Sequence, residues 1–379
     1  MTKKRIFSGI QPSGNLHIGN YLGAIKNWVD MQDEYESIFC VVDMHAITVP
    51  QDPEILKKKT IEIAKIYLAA GIDPEKSTIF IQSHVKAHAE LCWILNTITQ
   101  NGDLTKMTQF KDKTGMDVEA IVPFIKEQSE RKLEEIVVGN STNDLTKQQV
   151  YKITAQTAAD VFQKFIKERF NSAGMGLFDY PVLMAGDILL YDTQTVPVGQ
   201  DQVQHVELAR TLARRFNKRF GETFVVPEYF VKEEGKMIMG LDNPEKKMSK
   251  SAASEYNYIS LMDDAESVRK KIRKAVTDSG EEIVYRDEKP ALKNLINIYA
   301  ILAGMTAQGV EQKFVGKRYG DFKNNLAEVI VNFLTPFQER MQAISDEDAL
   351  QVLHDGARRA EKIAEKKIRE VKEKVGFII

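Results

Sequence analysis

The chain has 379 residues, 43% hydrophobic and 28% charged, a globular balance that excludes disorder, collagen-like repeats and a disulfide framework. Lys and Arg total 52 against 54 Asp and Glu, so net charge supplies no global pull toward nucleic acid or acidic membranes, and such binding must come from local patches. Only Cys40 and Cys92 are present, which excludes four-cysteine zinc and iron–sulfur sites and fits a reducing compartment, the cytoplasm by default.

The basic start, Met1-Thr2-Lys3-Lys4-Arg5, runs into Ile6-Phe7-Ser8-Gly9, and no run of about 18 apolar residues follows, so neither an export signal nor a membrane span is expected. Short apolar runs at 6–8, 38–43 and 78–82 alternate with helical patterns, the order of parallel strands joined by crossover helices. Between the last two, residues 53–70 open with Pro53, carry Ile55, Ile61, Ala64, Ile66 and Leu68, and stop at Gly71, which predicts a helix. Pro123 suits the start of a helix carrying Phe124, Ile125, Leu133, Ile136 and Val137. After a turn at 140–144, a second helix is expected over about 145–170 with Val150, Ile153, Ala158, Val161, Phe162, Phe165 and Ile166. Such a hairpin can bury one apolar face against itself and the other against a neighbour. Residues 181–191 are apolar apart from Asp187, and strands are expected at 195–198 and 224–226. Beyond about 245 helical patterns dominate, most clearly in Ala357, Ala360, Ala364, Ile368, Val371 and Val375.

Two motifs could carry chemistry. Ser8-Gly9-Ile10-Gln11-Pro12-Ser13-Gly14, then His17-Ile18-Gly19-Asn20, follows the first strand and precedes a helix. A glycine-rich turn there lets backbone N–H groups approach phosphate, and His17 adds a donor. Lys247-Met248-Ser249-Lys250-Ser251 offers two lysines and two hydroxyls in a loop, a clamp for departing pyrophosphate. Alone, each has an ordinary reading: a tight turn with a solvent-facing His, and a solvated lysine loop.

Together they resemble the paired signatures of class I aminoacyl-tRNA synthetases. Segments 7–23, 39–49, 107–113, 176–191, 196–208 and 246–251 resemble, in order, those of the bacterial tryptophanyl-tRNA synthetases. The resemblance implies a Rossmann-like parallel-sheet α/β catalytic domain at 1–115 and 173–240, a helical-hairpin insertion at 116–172, and the lysine loop with a helical anticodon-binding domain at 241–379. It implies tryptophan activation by ATP, with Mg²⁺ on the phosphates, transfer to tRNA(Trp), and a homodimer. Asp187 matches the indole-binding aspartate. Phe7, Gly9, Tyr180, Met184, Ile188, Val196 and Val198 match the surrounding wall, and His45 and Gln202 match polar residues near the amino acid. ATP is implied across Gln11, Pro12 and Ser13, over Gly19 and Asn20, and against Gly199, Gln200 and Asp201. Ile238 falls on the adenine side, with Lys247, Met248, Ser249, Lys250 and Ser251 on the triphosphate. Charge stabilisation falls to Lys250, Lys247, Lys113, Gln11 and His17, with Lys111 a further basic group.

Gln200 stands where Glu is common in that family, Gly186 where Ala is usual, Met237 where Arg is frequent, and Ala252-Ala253 where an acidic residue follows the loop. The stretch between Lys113 and Gly174 is on the order of fifty residues longer than expected, a length that signals structure of its own. Three alternatives stay open. A tyrosyl-tRNA synthetase is disfavoured by the Gly-Ile-Gln-Pro-Ser-Gly opening and the helix around Asp187, and a nucleotidyltransferase by the lysine loop and helical C-terminus. A noncatalytic paralogue binding tRNA or tryptophan is disfavoured by intact Gln11, Lys247 and Lys250.

Overall fold

Alternation along the strands sets the architecture. In Glu36–Val41 (β2) every residue after the first is buried, Ile38 and Cys40 in one apolar core and Phe39 and Val41 in another, the pattern of a strand covered on both faces. Arg5–Ile10 (β1) and Ser77–Ile81 (β3) flank it in parallel; Thr195–Val198 (β4) pairs with β1 and Glu228–Val231 (β5) with β4, giving the order β3-β2-β1-β4-β5. The order reverses between β1 and β4, and ligands of such sheets bind beyond the carboxyl ends of the strands at that reversal. The computed structural model describes residues 3–108, 111, 118–139, 146–165, 167, 174–231, 238–249, 252 and 254–379. No helix among them is long and apolar enough to cross a membrane.

One face of the sheet is covered by α1, a helix of three consecutive parts (Ile18–Asn20, a π-wound Tyr21–Ile25 and Lys26–Met31), and by Pro53–Ala70 (α2). In α2 the Asp52 side chain caps the N–H groups of Glu54 and Ile55, Pro53 opens the first turn, and Gly71 closes it at φ 102°, a left-handed conformation that favours glycine. The other face packs on Ala87–Asn96 (α3), Met175–Leu189 (α4) and Val203–Phe220 (α5). A C-terminal group of helices, Ala265–Lys274, Pro290–Ala303 and Tyr319–Ala343, closes around Ile272, Leu295, Phe322 and Phe337.

The final helix, Asp346–Val375 (α6), returns to the sheet and lies along β3, the edge strand. Arg359 donates to the carbonyls of Pro74 and Ser77, so the helix covers an edge that would otherwise pair with other chains. Lys367, nearly buried, donates to the Thr223 carbonyl at 2.8 Å and pairs with Asp192 and Glu370.

Two expectations need correction. The fifth strand forms at Glu228–Val231, not at 224–226. Asn217 explains the shift: its side chain accepts from the N–H groups of Thr223 and Phe224 and donates to the Phe224 carbonyl, occupying groups a ladder needs, while Pro227 has no N–H. The hairpin helices, Val118–Gly139 and Lys147–Phe165, pack on each other, but Pro123 lies inside the first helix instead of starting it. In the single chain Val122, Phe124, Tyr151 and Phe162 are exposed, while the buried positions include Ser129 and Thr157. The expected turn at 140–144 lies outside the described residues.

The approach of α6 to β3 depends on Gly356, where a Cβ would sit 1.8 Å from the Ile79 carbonyl oxygen. Gly356→Ala should therefore destabilise the chain by about 1–3 kcal/mol in urea unfolding. Gly320→Ala, at a helical glycine with nothing within 4 Å of the added carbon, should stay within about 0.5 kcal/mol of the parent. Equal effects of the two would refute the packing account.

Candidate functional site

A cavity of about 660 Å³ opens at the carboxyl ends of β1 and β4, where the strand order reverses. Its apolar end is lined by Phe7, Met184, Ile188, Val196 and Val198, and the carboxylate on its wall is Asp187. Gly9 leaves β1 bare there: a Cβ would lie 2.8 Å from Val42 Cγ1 and 3.0 Å from the Cys40 carbonyl.

Asp187 lies within α4 and is 1% exposed, so it is not a helix cap. Its Oδ1 accepts from Gln82 Nε2 at 2.7 Å and His88 Nδ1 at 2.6 Å, and its Oδ2 from His45 Nε2 at 2.7 Å. Burial alone raises the pKa of this carboxyl, but the hydrogen bonds and attraction of His45 and His88 more than offset it and hold the group below the ordinary carboxylate range. The result is a buried ionised carboxylate. Tyr180 lines the cavity beside it, its hydroxyl 2.8 Å from His205 Nε2. Burial pushes Tyr180 up to about 12 and, as the largest influence, pushes His205 down to about 4, so both are neutral near pH 7.

The two sequence-distant motifs meet at the cavity's other end. Ile18 N–H donates to the Ile259 carbonyl at 2.9 Å and Leu261 N–H to the Leu16 carbonyl at 3.0 Å, which pins the His17 turn to the segment after the lysine loop. Within the turn, a side chain at Gly19 would meet His17 Nδ1 at 2.9 Å, so only glycine leaves the imidazole its place. The loop is held by its own backbone, Met248 N–H to the Ile238 carbonyl at 3.0 Å and Gly240 N–H to Lys246 at 2.8 Å. Asn257 accepts from Ser249 N–H at 2.9 Å, and Asn294 brackets both backbone groups of Met239 at 2.8 Å. Lys247 Nζ stands 3.6 Å from Asp201 Oδ1, both exposed. Burial raises Asp201, but Gln202 and Lys247 outweigh it and hold the carboxyl low.

Gln11, Ser13, His17, Asn20, His45, Gly199, Gln202, Lys247, Met248 and Ser249 line the same cavity as the apolar wall. Gln11 Nε2 donates to the His45 carbonyl at 3.3 Å, joining the two ends. Pro12, Gly19, Gln200, Asp201 and Ile238 are not part of the lining; Ile238 is buried behind its bond to Met248. Lys113, Met237, Lys250 and Ser251 lie outside the described residues. At Gly186 an added methyl would make ordinary contacts of 3.5 Å to Cys92 N and 3.6 Å to the His88 carbonyl, so glycine and alanine both fit.

Sequence reasoning missed Gln82, His88, Asn257 and Asn294. A signal for His88 existed: it shares the buried side of α3 with Leu91, Cys92 and Leu95, at the spacing of a helix face, and is the polar member of that stripe. The asparagines gave none, since polar residues in a loop and a helix are usually solvated.

The family model "tRNA synthetases class I (W and Y)" matches residues 2–125 and 140–335. A tryptophan–tRNA ligase of Caldanaerobacter subterraneus subsp. tengcongensis is 47% identical over 377 residues, 99% of each chain. The tryptophanyl-tRNA synthetase of Mycoplasma pneumoniae superposes with a TM-score of 0.80 at 32% identity, covering 100% of this chain and 99% of its own. That of Campylobacter jejuni, complexed with ADP and tryptophan, superposes at 0.72 with 34% identity, over 98% and 100%. These relatives are matched over nearly their whole length, so the segment before Gly174 does not make the chain longer than they are.

Neutral His205 has a measurable consequence. Its pKa falls from 6.5 unfolded to about 4 folded, so its stabilising effect is complete above pH 6.5 and is lost as pH falls toward 4, where the unfolded chain takes a proton that the folded one refuses. The loss approaches about 3 kcal/mol. Urea unfolding between about pH 7 and about pH 4.5 should show a shallower decline for His205→Gln than for the parent, and parallel curves would contradict this.

Proposed function

The chain belongs to the class I tRNA synthetases for tryptophan and tyrosine, and from that premise we propose that it activates L-tryptophan with ATP and ligates it to tRNA(Trp). The observation that carries the choice of amino acid is Asp187, an ionised carboxylate on the wall of an otherwise apolar cavity end. A large flat ring with one N–H donor matches that wall, and a site built around such an acceptor rejects rings that leave it unpaired.

In this reading the tryptophan ring enters beside Phe7, Gly9, Tyr180, Met184, Ile188, Val196 and Val198, with Gln202 and His45 near its polar end. ATP lies across Gln11, Pro12 and Ser13, over Gly19 and Asn20, and against Gly199, Gln200 and Asp201, with Ile238 behind. The amino-acid carboxylate attacks the α-phosphorus in line; the bond to the β-phosphate oxygen breaks, and pyrophosphate leaves with that electron pair. The terminal ribose 2′-hydroxyl of the tRNA then attacks the adenylate carbonyl, its proton leaves, and AMP departs. No covalent enzyme intermediate is required, so the chain's work is positioning and charge stabilisation by Lys247, Lys250, Lys113, Gln11 and the His17–Asn20 turn. Lys247 is suited to this because its partner Asp201 is exposed and the contact long, so it can move to phosphate. Mg²⁺ enters as part of the substrate, on the phosphates.

We extend the proposal to organisation: catalytic segments at 1–115 and 173–240, an appended hairpin at 116–172, a tRNA-reading helical domain at 241–379, a cytoplasmic location and a homodimer. The experiment is pyrophosphate exchange into ATP. Tryptophan should support it and tyrosine only feebly, and Asp187→Asn should lower kcat/KM for tryptophan by about 10- to 100-fold. Equal use of tyrosine by the parent would overturn the assignment.

A further inference from the structure

The Asp187 carboxylate is treated differently on its two oxygens. Oδ1 is occupied by Gln82 and His88, which are fully buried and away from the cavity lining, whereas the partner of Oδ2 is His45, which lines it. A carboxylate only accepts, so His88 Nδ1 carries a hydrogen. The ring's other nitrogen, Nε2, lies 2.8 Å from the Tyr191 hydroxyl, a group able to donate or accept there.

The carboxylate sets the hydrogen on Nδ1, while the Tyr191 contact and the surrounding rings hold the imidazole in place. Phe80 stacks on His88 with centroids 5.8 Å apart and meets Tyr191 edge-on, while Tyr191 stacks on Phe7 at 5.6 Å and 9°. Phe7 belongs to the cavity wall. Tyr191, His88 and Asp187 thus form a chain from a rigid aromatic cluster to the recognition carboxylate.

We propose that His88, held by Tyr191, is a positioning residue for amino-acid selection: by occupying Oδ1 it stops the carboxylate from turning and presents Oδ2 to the cavity as the acceptor of the substrate ring's N–H. His45 is the donor that gives way, since it sits on the oxygen that faces the ligand. The proposal rests on the reading of Asp187 as the indole acceptor, and its test separates the two.

The probe is 3-(3-benzothienyl)alanine, in which sulfur replaces the indole N–H and the ring shape is kept. Pyrophosphate exchange gives the ratio of kcat/KM for tryptophan to that for the analogue. For the parent this ratio should exceed about 10. In His88→Leu it should fall about tenfold through KM for tryptophan, with KM for ATP unchanged, and His88→Asn, which returns a donor near the Nδ1 position, should restore it. A role in packing alone would weaken both substrates alike and leave the ratio intact. If His88→Leu does not fold, Tyr191→Phe carries the test by removing only the hydroxyl that anchors the far nitrogen of the ring; the ratio should then fall by about threefold or more. A parent indifferent to the sulfur exchange overturns the reading of Asp187 and the proposal with it. A discriminating parent whose ratio survives in His88→Leu, or in Tyr191→Phe where that variant carries the test, overturns the proposal alone.

Discussion

A carboxylate buried in an apolar wall is the constraint around which this fold is arranged. Removing such a charge from water costs on the order of several kcal/mol unless its oxygens find donors, and Asp187 finds three. They come from three separate places: His45 after β2, Gln82 directly after β3, and His88 in the first turn of α3. A parallel sheet brings these together because its strands all end on the same side, and the carboxylate is delivered from α4 above them. The neighbouring Tyr180–His205 pair is kept neutral by burial, so the carboxylate remains the charge at that end of the cavity.

The opposite end is organised by backbone rather than charge. The turn at His17 and the segment after the lysine loop are more than two hundred residues apart, yet they exchange N–H to carbonyl bonds at 2.9 and 3.0 Å. The C-terminal helices join this contact through Asn294. The loop lysine is thereby anchored at its base while Lys247 stays exposed at its tip. Anchored base and exposed tip suit the phosphate-closing role proposed for Lys247. Bonds of this kind also tie the sheet and the C-terminal helices together, reinforced by α6 along the sheet edge.

Local chemistry was legible in the sequence wherever one residue type has one consequence. Pro53 and Gly71 bracket a helix whose bounds match them, and buried runs in β2 and β3 read as strands of a covered sheet. The cavity's Asp187 stood out as a lone charge among apolar residues. What was not legible depends on partners distant in the chain. Asn217 takes the backbone groups of 223 and 224 and displaces the fifth strand, which composition does not reveal. Pro123 lies inside its helix although proline has no N–H for the preceding turn and is best tolerated in the first turn, so it did not mark where the helix begins. Which donors satisfy Asp187 depends on the strand order, so Gln82 and His88 emerged only with the fold.

Selection of the ring turns on Asp187 as its acceptor. A crystal structure of the chain with tryptophan tests this most directly. It should place the indole nitrogen within about 3 Å of Asp187 Oδ2, with Gln82 and His88 still on Oδ1 and His45 turned away from Oδ2. An indole nitrogen directed at another acceptor, such as Gln202, or at solvent, would contradict it.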